Sequence, residues 1–101
     1  MQLEGKVGLV TGGTRGIGAA AAIALAKAGA DVALVGRTDD DEARQTRAVI
    51  QALGRRCELI LADCAKPADA TRCVEETAQR LGGVDVLVHS AGGPVNGGLL
   101  E

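Results

Sequence analysis

The chain has 101 residues, 47% of them hydrophobic, and a formal net charge of −2. That length makes one domain or part of one, and the apolar content excludes a disordered tail. The small charge and the lack of Tyr, Trp and Phe remove the basic footprint and the stacking platforms of nucleic-acid binding, and no apolar run reaches the ~20 residues of a membrane span.

Met1 to Lys6 hold no signal-peptide apolar region and lead straight into a strand, so a cytoplasmic protein is expected. Val7 to Thr11 reads as a buried strand. Gly16 to Ala28 reads as a helix, with Gly29 just past its end. Asp31 to Gly36 is a second strand. Asp39 to Leu53 is a second helix, whose N-terminus is crowded by Asp39, Asp40, Asp41 and Glu42 as the helix dipole favours. Ala43, Ala48, Val49, Ile50, Ala52 and Leu53 are expected to supply much of its buried side. Glu42, Arg44, Arg47, Arg55 and Arg56 form its solvated face. Cys57 to Ala62 is a third strand. Pro67 to Leu81 is a third helix, opened by Pro67 and closed by Gly82-Gly83. Val84 to His89 is a fourth strand, and Gly92-Gly93-Pro94 then breaks regular structure.

Strands and helices in strict alternation imply parallel pairing through right-handed crossovers. The strands are near-continuous runs of Val, Leu and Ile, which fits a sheet covered on both faces. The doubly wound order is then 3-2-1-4, with a ligand crevice between the first and fourth strands. Cys57, Cys64 and Cys73 form no Cys-x-x-Cys pair, and the single histidine, His89, is distant in sequence. Small hydrophobes in a reducing compartment fit this pattern better than a zinc site does.

The chemistry is concentrated in Val10-Thr11-Gly12-Gly13-Thr14-Arg15-Gly16-Ile17-Gly18, between the first strand and the first helix. Gly12 permits a tight turn. Gly16 lets the backbone approach a pyrophosphate, and Gly18 allows close packing of the helix. Such a loop holds phosphate against backbone N–H groups at the positive end of a helix dipole. A P-loop is excluded, because no Gly-Lys-Ser/Thr follows and position 19 is Ala.

Thr11-Gly12-Gly13-Thr14-Arg15-Gly16-Ile17-Gly18 resembles the TGxxxGIG motif of the classical short-chain dehydrogenase/reductases. Asp63 stands where that family has an Asp on the adenine amino group. His89-Ser90-Ala91-Gly92 stands where it has Asn-Asn-Ala-Gly. Leu87-Val88 and Val84-Asp85 match as well. The resemblance implies a Rossmann-like α/β fold, with the second half of the fold absent from these 101 residues. It implies that Gly12, Gly16, Ile17 and Gly18 line the pyrophosphate and that Thr11 braces the loop against the fourth strand. Asp63 and the Cys64 backbone would flank the adenine. Ser90, Ala91 and Gly92 would pass the nicotinamide-side ribose. His89 and Ser90 replace the first two Asn of the motif, so the sheet-bracing role of those Asn does not carry over directly.

An NAD site places a carboxylate at the end of the second strand, to accept from the ribose 2′-hydroxyl. Here that position is Gly36, followed by Arg37. Arg37 can pair with a 2′-phosphate, Arg15 reaches the same corner, and Thr14 and Thr38 add hydroxyl donors. NADP(H) is therefore the expected cofactor and NAD the less favoured one, and Gly36→Asp is expected to invert the preference. The family's Tyr-x-x-x-Lys acid/base segment has no counterpart, since the chain contains no Tyr.

Residues 1–101 thus read as a single, partial dinucleotide-binding domain. It would be the NADP(H)-binding N-terminal portion of an oxidoreductase moving hydride between NADPH and a carbonyl or alcohol. The alternative is a stand-alone dinucleotide-binding module or a non-catalytic fragment. The expected partners are the dinucleotide and a second copy, met through the open edge of the fourth strand or in a homo-oligomer of a full-length parent.

Overall fold

The computed structural model describes residues 2–63 and 65–90. It contains β1 (Val7–Thr11), α1 (Gly16–Lys27), β2 (Asp31–Gly36), α2 (Asp41–Ala52), β3 (Cys57–Leu61), α3 (Pro67–Leu81) and β4 (Val86–His89). The four strands are parallel in the order β3-β2-β1-β4. β1 and β2 lie inside the sheet, and four adjacent residues of each, Val7–Val10 and Val32–Val35, are buried. This is why they read as unbroken apolar runs instead of alternating ones.

Strand residues alternate between two cores. Leu9, Ala33, Val35 and Ile60 point to the face covered by α3, where they meet Cys73 and Leu81. Val10, Val32, Leu34 and Cys57 point to the face covered by α1 and α2, where they meet Ala22, Ala26 and Ile50. α1 lies close to the sheet because β1 carries Gly8, where a Cβ would come within 2.8 Å of Leu25.

Five expected boundaries move. α1 ends at Lys27, with Ala28 as its C-cap. α2 starts at Asp41, not Asp39, because Asp40 has extended backbone and caps the helix; it ends at Ala52, with Leu53 as the cap. β3 stops at Leu61, although the Ala62 N–H still donates to Gly36 O at 2.9 Å. β4 begins at Val86, not Val84, because Asp85 closes the ladder end with its side chain. Its Oδ2 accepts from Val7 N, and its own N–H donates to Val7 O, both at 2.8 Å.

The buried stripe of α2 also differs from expectation. Ala43, Thr46 and Ile50 are buried, while Ala48, Val49, Ala52 and Leu53 are exposed. Spacing by three and four fits one helix face, and a polar Thr sits in it because its hydroxyl has partners, described below.

Candidate functional site

The C-terminal ends of all four strands open onto one cleft of about 1080 Å³. Its floor is the loop from Thr11 to Gly16, and its walls are the segments after β2, β3 and β4. Gly12 has φ +69°, and a Cβ there would lie 2.4 Å from Ser90 O. The turn and the close approach of the two loops both require glycine. At Gly18 a Cβ would meet Gly12 O at 2.0 Å. The glycine therefore lets α1 pack against the loop leaving β1, rather than against the strand itself.

α1 begins in the cleft with no side-chain cap and no acidic residue in its first turn. Its leading backbone N–H groups have no intrahelical partner. At Gly16, φ is +61° and a Cβ would meet nothing within 4 Å, so the backbone there faces open space. Ile17 is 72% exposed beside it. This is a positive helix end with donors turned to a cavity, the arrangement that binds anions.

Thr11 ties β1 to β4. Its Oγ1 lies 2.8 Å from His89 Nδ1, and the Ser90 N–H donates to Thr11 O at 3.1 Å. His89, in place of the motif's Asn, thus joins the same two strands. Asp63 sits at the end of β3, half-buried. Its Oδ1 accepts from Ala65 N at 3.0 Å, and Asp69 Oδ2 accepts from Asp63 N at 2.9 Å. Asp63 Oδ2 makes no hydrogen bond among the described residues. Cys64, Ala91 and Gly92 lie outside the described residues, as does the tail from Pro94 to Glu101.

The corner assigned to the ribose 2′-position is more crowded than its sequence implies. Arg37 is exposed and makes no ion pair among the described residues. Arg15 Nη2 instead donates to Asp40 Oδ2 at 2.6 Å, with Glu42 Oε1 3.6 Å from Nη1. Thr38 Oγ1 donates to the same Asp40 oxygen at 3.1 Å. Thr14 is buried, and its side chain fills the space that a Cβ at Gly36 would take, 2.6 Å from Thr14 Cγ2. Gly36 is therefore also a packing position. Gly36→Asp would displace Thr14 and disturb the loop, so it does not test cofactor choice cleanly.

Two residues that do not line the cleft but bond to residues that do, Asp40 and Thr46, were not among the sequence's site candidates. Asp40 caps α2, its Oδ1 accepting from Ala43 N at 3.0 Å. That bond is the first cause holding its carboxyl below the ordinary aspartate range, ahead of the Thr38 and Arg15 contacts. Thr46 has its hydroxyl 3.0 Å from both Thr14 O and Glu42 O, so it fastens α2 to the glycine loop. The acidic run Asp39–Glu42 announced a helix start without showing which member caps it. Nothing local to Thr46 announces a contact 32 residues away.

The family model for short chain dehydrogenases matches residues 6–101. The chain belongs to the short-chain dehydrogenase family. General stress protein 39 of Bacillus subtilis is 42% identical over 91 residues, which are 90% of this chain and 32% of that protein. A short-chain dehydrogenase from Burkholderia cenocepacia, solved in complex with NADP, superposes with a TM-score of 0.86 at 48% identity, over 91% of this chain and 38% of that one. A blue fluorescent protein from a metagenomic library, in complex with NADPH, gives 0.85 at 45% identity, over the same 91% and 38%. The short-chain dehydrogenase chain therefore spans about a third of the length of the curated relatives it matches. Its residues fit a dinucleotide. The uncapped end of α1 and the open space at Gly16 suit a pyrophosphate, and the cleft extends from there to Arg37 on one side and to Asp63 and Ser90 on others.

Proposed function

We propose that this chain is the NADP(H)-binding portion of a short-chain oxidoreductase that acts on a carbonyl or alcohol. One observation carries the reading: the uncapped, acid-free N-terminus of α1 opens on the cleft, with Arg37 at the end of β2 exposed and making no ion pair among the described residues. When bound, the cofactor would give hydride to a carbonyl or take it from an alcohol. The chain's own residues bind and orient. The first N–H groups of α1 hold the pyrophosphate, Asp63 offers Oδ2 to the adenine amino group, and Arg37 pairs with the 2′-phosphate. Thr11 and His89 keep the β1 and β4 loops in register beneath them.

Calorimetric titration of NADPH and NADH into wild type and Arg37→Ala tests this. A charge-assisted bond contributes roughly 1.5–3 kcal/mol, so NADPH binding should weaken about ten- to a hundredfold while NADH binding holds. Equal losses for both cofactors would show that Arg37 acts on folding or on the shared pyrophosphate.

The residues for proton transfer lie elsewhere in this proposal. The chain has no Tyr, and His89 Nδ1 is engaged with Thr11. Steady NADPH oxidation by the pure chain, abolished by His89→Ala, would overturn this.

The difference between the two edges of the described sheet also supports self-association of the isolated chain, through β4. The β3 edge is guarded: Arg72 donates to Leu61 O at 2.8 Å, and Arg80 pairs with Glu58 at 3.3 Å. β4 carries Leu87, 60% exposed, and no charged side chain from Val86 to His89. Bare apolar edges template strand pairing. Light scattering should show association that Leu87→Lys reduces, and a sharply monomeric wild type would count against it.

A further inference from the structure

Asp40 does more than cap a helix. The cap needs one oxygen, Oδ1, which accepts from Ala43 N. The other oxygen, Oδ2, accepts from Arg15 at 2.6 Å and from Thr38 at 3.1 Å. These are two of the four residues whose chemistry suits a ribose 2′-phosphate. A third, Thr14, is buried against Gly36. Arg37 alone of the four is exposed with neither an ion pair nor a side-chain hydrogen bond among the described residues. One carboxylate thus takes up both remaining donors of the corner.

We propose that Asp40 is a specificity-determining residue of this cleft: its carboxylate competes for Arg15 and Thr38, and so sets how far a 2′-phosphate is preferred over a 2′-hydroxyl. The inference rests on the dinucleotide reading above. A 2′-phosphate must draw Arg15 and Thr38 away from an anion already at charge-assisted distance. It must also tolerate that anion nearby, since like charges in one corner repel. A neutral 2′-hydroxyl meets neither cost. Asp40 therefore narrows the margin between the two cofactors and keeps NAD(H) binding within reach of a corner that holds two arginines. Glu42, 3.6 Å from Arg15 Nη1 and exposed, adds to this weakly.

Asp40→Asn separates the two jobs. Asn is as good a cap as Asp, so its single oxygen stays on Ala43 N. Its amide nitrogen then replaces Oδ2 and accepts from neither Arg15 nor Thr38. Asp40→Ser, also a cap without charge, is the second variant should Asn fail to fold. NADPH and NADH are titrated calorimetrically into the full 101-residue chain, as wild type and variant, at low and high salt. The expected result is NADPH binding about three- to tenfold tighter, with NADH changed less than about twofold. The gain should shrink at high salt and vanish when Arg15→Met is added. An unchanged NADPH-to-NADH ratio in Asp40→Asn and Asp40→Ser, with Arg37→Ala still weakening NADPH, overturns the inference and leaves the cofactor reading standing. A ratio near one in wild type and every variant overturns the reading and the inference together.

Discussion

The helices α1 and α2 both start on the rim of the cleft, and their first turns are built in opposite ways. α2 satisfies its own end: Asp40 accepts from Ala43 N, and Asp41 and Glu42 add negative charge in the first turn. α1 has Arg15 at the N-cap, no side-chain hydrogen bond and no acid in its first turn. α3 meets the same problem a third way, with Pro67 removing a donor outright. The contrast teaches where a ligand belongs. A helix start that the chain leaves uncapped, beside glycines that keep side chains away, has its donors reserved for an external anion. A capped start serves folding, and here it also ties up two neighbouring donors.

The largest expected effect breaks the α1 side. Gly18→Ala puts a Cβ 2.0 Å from the Gly12 carbonyl oxygen, a backbone atom that no rotamer change can move. We expect a loss of about 3 kcal/mol, the upper end of overpacking costs, and loss of NADPH binding. Thermal denaturation followed by circular dichroism, with calorimetry, measures both.

Next is the link between the two ends. Thr46→Val keeps shape but removes the hydroxyl lying between Thr14 O and Glu42 O. Leaving a buried carbonyl without its donor costs about 1–3 kcal/mol. Dinucleotide binding should fall with it, because the glycine loop loses its anchor to α2. Unchanged binding at reduced stability would show that α2 does not position the loop.

Removing the cap on α2 should do less. Asp40→Ala is expected to lower Tm by about 5 °C, and Asp40→Asn by much less. The sign with pH follows from the depressed carboxyl. Asp40's contribution is present above the ordinary aspartate value of 3.8 and is lost as pH falls through its lower folded value. The stability gap between wild type and Asp40→Ala should therefore be constant near neutrality and close only in strong acid. A gap already closing near pH 6 would contradict the assignment.

The smallest effect is an expected lack of change. Cys57 lies beneath α2 at the far end of the sheet, and burial pushes its thiol up to about 12 from 9.0. Its share of stability is intact below pH 9.0 and fades as pH rises towards about 12. In a Cys64→Ser background, a thiol reagent at neutral pH should modify Cys57 very slowly, and equally slowly in Asp40→Ala. Rapid labelling in the variant would mean that the whole of α2 had loosened, beyond its first turn.

Much of this was legible in the chain. Apolar runs alternating with helical stretches pointed to a parallel, doubly wound sheet in the order 3-2-1-4, and the inner strands β1 and β2 are apolar because both of their faces are covered. The glycines at 12, 16 and 18 marked the loop and helix start beside the cleft, since their roles follow from having no side chain. Helix faces and ends were less legible. Val49 and Leu53 look like core and are exposed, while Thr46 looks like surface and is buried.

The tertiary structure alone decided which partner each polar group takes. Arg15 and Thr38 carry the right groups for a phosphate, yet both turn to Asp40, which is 25 residues from Arg15 in sequence and reaches it only through the crossover between β1 and β2. Asp85 trims β4 by bonding to Val7, 78 residues away, and Thr14 fills the space left open at Gly36. Periodicity and glycine spacing are local and can be read along the chain. Competition between donors and acceptors is settled only when distant segments meet.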